Sequence, residues 1–195
     1  MVFRFDNILE NWAEIYKPLS HDPKAGSKDC TYYRIRTIDT QNTFMRNQNT
    51  AKTPCMAYSV LIDAESTSAK TISYLHTIYF MTKTHSSLAK TPRQDDMQIA
   101  DMQLLMDEMV QDLLAYLYDL RHNGRCPITG RELRAEEKTA IRGLQLEKCS
   151  WASLPVKFAD FWVLSLQIEQ TMQHNTCINP EVYKVPNPVA PEGNG

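Results

Sequence analysis

Apolar positions along the chain fall into two rhythms. From Phe5 to Leu19, residues Ile8, Leu9, Trp12, Ile15, Tyr16 and Leu19 recur at three- and four-residue steps, which predicts an amphipathic helix. Asp6 is its expected N-cap, and Pro18 with the polar run His21–Ser27 its stop. A strand is predicted near Thr31 to Ile38, where Tyr33, Ile35 and Thr37 alternate with Arg34, Arg36 and Ile38. Asp39 to Thr53 has no period and reads as a long loop with a short strand near Phe44-Met45-Arg46. After Pro54 the rhythm of two returns. Met56, Tyr58, Val60 and Ile62 share one face of a strand, and Ser66 to Ala69 is read as the turn of a hairpin. In its partner, Thr71 to Thr84, both faces carry apolar bulk, so that strand is expected at the centre of a sheet.

A second loop, Ser86 to Arg93, leads to the longest helix, Asp95 to Arg121, capped by Asp95 or Asp96. Its stripe is Ile99, Met102, Leu105, Met106, Met109, Leu113, Tyr116, Leu117 and Leu120, and His122-Asn123-Gly124 is the stop. Arg131 to Lys138 reads as a polar or helical connection. Leu144 and Leu146 mark a strand running toward Trp151, and Lys157 to Met172 a long final strand with a bulge near Asp160-Phe161-Trp162. The expected fold is α+β: a mostly antiparallel sheet covered by one long amphipathic helix plus an N-terminal helix. Residues 1–178 form a single domain, and 179–195, rich in proline, an extended or flexible tail.

Bulk properties narrow the function classes. With 195 residues, 43% hydrophobic and 23% charged, the chain has enough to bury one core. A net charge of −2 gives no surplus for a phosphate backbone, so nucleic acid is not an expected partner. No apolar run is long enough for a membrane helix. The N-terminus, broken by Asp6, Asn7 and Glu10, is not expected to be a secretory signal. The five cysteines lack C-x-x-C spacing and read as free thiols in a reducing compartment.

No motif predicts catalytic, cofactor or metal residues. His122 with Cys126, and His174 with Cys177, each supply half a zinc site. Lys24-Ala25-Gly26-Ser27-Lys28 lacks the first glycine and preceding strand of a phosphate loop. There is no G-x-S-x-G elbow. Asp101, Glu108, Asp112 and Asp119 share a face of the long helix, as the wet side of any amphipathic helix does. His76 reads as a buried, hydrogen-bonded core histidine. Tyr32, Tyr33, Arg34, Arg36 and Arg46 would suit stacking on single-stranded nucleic acid, or equally a charged edge strand.

The order of the elements Phe5–Leu19, Pro54–Glu65, Thr71–Thr84, Asp95–Arg121 and Leu144–Met172 resembles that of phage tail-terminator proteins and related head-tail neck proteins. The resemblance is one of arrangement and covers about three quarters of the chain. It implies a homo-oligomer, a hexameric ring that caps a tail tube or joins it to a head. Tube, sheath or neck proteins would be its partners, and the virion or bacterial cytoplasm its location. It carries over no catalytic residues. The residues expected to touch partners are Arg34, Arg36, Phe44, Arg46, Tyr183 and Val185. The alternatives are a cytosolic small-ligand-binding protein or enzyme, and a nucleic-acid-associated adaptor.

Overall fold

The computed structural model describes residues 3–24, 26, 29–35, 52–68, 71–83, 92–153 and 161–173. The expected Asp39–Thr53 loop lies almost wholly outside them. So do most of the Ser86–Arg93 loop, Phe158, Asp160, His174, Cys177 and the tail.

The fold is α+β. The helices are α1 (Phe3–Ile15), α2 (Pro92–Asn123) and α3 (Ala135–Arg142). The strands are β1 (Tyr32–Ile35), β2 (Cys55–Ser68), β3 (Thr71–Lys83), β4 (Ser150–Ser153) and β5 (Phe161–Gln173). Among the described residues they form one sheet in the order β1-β2-β3-β5-β4. Only β1 and β2 run parallel. β3 is central, as its two apolar faces required.

The core lies between the helices and one face of the sheet. Phe5, Ile8, Leu9 and Trp12 of α1 meet Met56, Tyr58, Ile78, Phe80, Leu164, Leu166 and Ile168 of the strands. The α2 residues Met106, Met109, Val110, Leu113, Leu117 and Leu120 complete it. Burial thus falls on the second half of the predicted α2 stripe, while Ile99, Met102 and Leu105 stay half-buried. The opposite face carries a smaller buried cluster of Cys55, Ala57, Met81, Phe161 and Val163.

Several boundaries differ from the sequence reading, each for a physical reason. α1 begins at Phe3, so Asp6 is not its cap but a buried residue of the first turn. α2 begins at Pro92, ahead of Asp95 and Asp96, because proline is pre-organised for the first helical position. β2 continues to Ser68, beyond the expected turn at Ser66. The Leu144–Trp151 segment is not one strand. Leu144 makes a single bridge to Gln170, Leu146–Lys148 forms a 3-10 turn, and pairing resumes at Ser150. The register of β2 on β3 shifts between Ser59 and Asp63 and again between Ser66 and Ser68, while β5 pairs with β3 without a shift from Phe161 to Gln173; Asp160 of the expected bulge lies outside the described residues.

Two glycines have distinct reasons. Gly124, at φ 64°, ends α2 as expected and donates its N–H to the Leu120 carbonyl. Gly143 has an ordinary φ of −93°, but a Cβ there would lie 2.2 Å from the Thr171 carbonyl oxygen. Its backbone carbonyl accepts the Thr171 N–H at 2.9 Å, which ties the end of α3 to β5.

Candidate functional site

Three places outside plain packing gather polar or exposed groups. The first lies where α1 meets β1. After α1 the chain wraps back through Ser20, in the left-handed region at φ 45°, and His21 donates its N–H to the Ala13 carbonyl. This return brings His21 Nδ1 to 4.0 Å from Cys30 Sγ and His21 Nε2 to 4.0 Å from Glu10 Oε1. The thiol–imidazole–carboxylate order is that of a cysteine nucleophile with its base and orienting group. The protonation states run the other way. Burial pushes the Cys30 thiol above its ordinary range, and the thiol donates to the Tyr32 carbonyl at 2.8 Å. Burial also lowers the His21 pKa against the pull of Glu10. A neutral thiol beside a neutral imidazole is favoured over the reactive ion pair.

Beside it, β1 is clamped to α1. Tyr32 donates its hydroxyl to Asp6 Oδ1 at 2.5 Å. Arg34 bonds Asp6 through Nε at 2.8 Å and Glu10 through its terminal nitrogen at 2.5 Å. The guanidinium of Arg34 is therefore spent inside the chain, on a carboxylate that is 2% exposed. The other expected contact residues, Arg36, Phe44, Arg46, Tyr183 and Val185, lie outside the described residues.

The second place is a groove of about 510 Å³ between α1 and α2. Trp12 and Tyr16 stack at 4.3 Å along one wall, and Asp112, Tyr116 and Asp119 form the other. Tyr16 donates its hydroxyl to Asp112 Oδ2 at 2.7 Å. Ile128, 71% exposed, stands at the rim. Asp112 and Asp119 belong to the carboxylate line that continues through Glu108 to Asp101. Among the described residues, no cation lies within salt-bridge distance of these four.

The third is the β4 edge. All four residues of β4 are exposed, and it pairs only with β5 among the described strands. Trp151, 40% exposed, donates its indole N–H to Asp107 at 2.6 Å, beside Leu104, which is 60% exposed.

The remaining candidates are structural in their surroundings. His76 is fully buried between Tyr58, whose hydroxyl lies 2.7 Å from Nδ1, and Gln170, whose Oε1 lies 2.9 Å from Nε2. Gln170 donates onward to the Ala140 carbonyl. His122 is exposed and stacks on Tyr118, while Cys126 is buried against Tyr116. Among the described residues, no group of three or more His, Cys, Asp or Glu is placed to hold a metal ion. No helix there is long and apolar enough to cross a membrane.

Comparison with protein-family models, curated proteins and solved structures finds no match to this chain.

Proposed function

We propose that this chain is a structural assembly subunit. In its narrower form it is a ring-forming component of a phage-like or contractile tail particle, placed at the tail end or the head-tail neck, in the virion or the bacterial cytoplasm before assembly. The observation that carries the assembly reading is the β4 edge. A strand with every residue exposed offers a row of backbone donors and acceptors to another chain. Trp151 and Leu104 add apolar area beside that row, and aromatic residues are favoured in buried interface cores. The narrower form adds the order of elements and rests on it alone.

Native mass spectrometry of the full chain at high concentration, with a pulldown of neighbouring gene products, tests this. The expected result is a closed oligomer or a stable complex with a tail component. A strict monomer that retains no partner would remove the reading.

One observation favours a second reading, a thiol enzyme: the Cys30–His21–Glu10 line. Iodoacetamide labelling separates the two. An activated thiolate would alkylate rapidly near pH 6–7, whereas the neutral thiol of half-buried Cys30 reacts more slowly than a free cysteine until well above pH 8.5.

A further inference from the structure

We propose that the acidic stripe of α2, with the groove beside it, takes the basic stripe of α3 from a second copy of this chain. This rests on the assembly reading and names the residues that would carry one of its contacts.

The acidic partner is Asp101, Glu108, Asp112 and Asp119. At 100° per residue these four fall within about 20° of one line along α2, and at 1.5 Å per residue they span roughly 27 Å. From residue 98 to residue 120 the helix holds no Lys or Arg. The basic partner is Arg134, Lys138 and Arg142, at four-residue steps on the cap and body of α3 and all exposed. None of these three has a carboxylate within salt-bridge distance among the described residues.

The spacings match when the two helices lie antiparallel. Taking Glu108 as origin, the carboxylates of Glu108, Asp112 and Asp119 lie at about 0, 6 and 16 Å. Taking Arg142 as origin, Arg142, Lys138 and Arg134 lie at about 0, 6 and 12 Å. Arg142 then faces Glu108, Lys138 faces Asp112, and Arg134 reaches toward Asp119 across a gap its long side chain spans. The apolar stems of these residues have Leu104, Ala115 and Ile128 to lie against, and a cation near the stacked Trp12 and Tyr16 gains from the ring faces. A free small cation fits less well, because the carboxylates run far beyond the groove. Since donor and acceptor stripes are different patches, the contact is head-to-tail, and such contacts close into rings or grow into filaments.

The test uses the full chain and two double variants, Asp112→Lys with Asp119→Lys, and Lys138→Glu with Arg142→Glu, each checked for fold by circular dichroism. Sedimentation velocity and native mass spectrometry are run at 50 and 500 mM NaCl. The wild type is expected to assemble at low salt and to weaken at least tenfold at high salt. Each variant alone is expected to be monomeric, and an equimolar mixture to form complexes that neither forms alone. Variants that assemble like the wild type overturn the inference and leave the assembly reading standing. A wild type that is monomeric throughout overturns both. Stoichiometric binding of spermidine to a wild-type monomer, lost in the Asp112/Asp119 variant, overturns the inference in favour of a free organic cation.

Discussion

At the residue scale the most constrained group is His76. Gln170 Nε2 donates to Ala140, so its Oε1 is free to accept from His76 Nε2–H. That leaves Nδ1 as the acceptor for Tyr58, and a neutral imidazole satisfies the whole chain of bonds. Protonation would remove that acceptor inside the core, and burial lowers the His76 pKa accordingly. His21 is lowered for the same reason. The sign follows from linkage. Above the unfolded value of 6.5 both states are neutral and stability is complete. As pH falls below it, the unfolded chain takes up protons that the folded chain resists, so stability declines until the lowered folded pKa is passed. Thermal melts from pH 7.5 to 5 are expected to fall more steeply for the wild type than for His76→Gln. Equal slopes would remove His76 from the account. The Arg34 clamp is the other residue-scale test. Arg34→Met leaves the Asp6 carboxylate, among the described residues, with Tyr32 as its side-chain partner, at a cost of about 1–3 kcal/mol. Urea unfolding measures it.

At the element scale, periodic segments and the Gly124 stop of α2 were legible in the sequence, and the path from α3 to β4 was not. The α2 stripe, the β2–β3 hairpin and β5 follow directly from spacing, because burying one face of a helix or strand fixes every third-and-fourth or second residue. The error at Leu144 has a clear source. Leu144 and Leu146 alternate like a strand, but the tight pass of Gly143 against Thr171 forces the chain into a bend before β4 can pair. A conserved-looking spacing could not reveal that approach, since it depends on a residue 28 positions away. Gly143→Ala is expected to cost several kcal/mol, because its methyl would meet backbone that has no rotamer to yield. An unchanged melting temperature would show that α3 can shift freely on β5. The Cys30–His21 approach was hidden for a similar reason. It depends on the left-handed Ser20, a conformation that a serine does not announce.

At the scale of the whole molecule, charge is divided unevenly although the net value is only −2. The exposed line of α2 is acidic and the segment from Arg121 to Lys148 is rich in bases. The sequence showed the acidic line, but as a solvated face. What changes its weight is that, among the described residues, no cation lies within salt-bridge distance of it and no carboxylate within that distance of Arg134, Lys138 or Arg142. Among the described strands, β4 lies at one end of the sheet, with Trp151 on it.

The central ladder between β3 and β5 also governs how the chain reaches this state. Its two strands are separated by the whole helical segment from Pro92 to Arg142. That ladder can close only across a loop of many tens of residues, so its contacts are late and entropically costly, while α2, α3 and the β2–β3 hairpin form from near neighbours. During synthesis the β2–β3 pair and α2 emerge well before β5, and until it docks, the side chains of β3 and α2 that pack on β5 stay open to solvent. The interval between those events is when this protein is most exposed to aggregation, and it closes only with the last described strand.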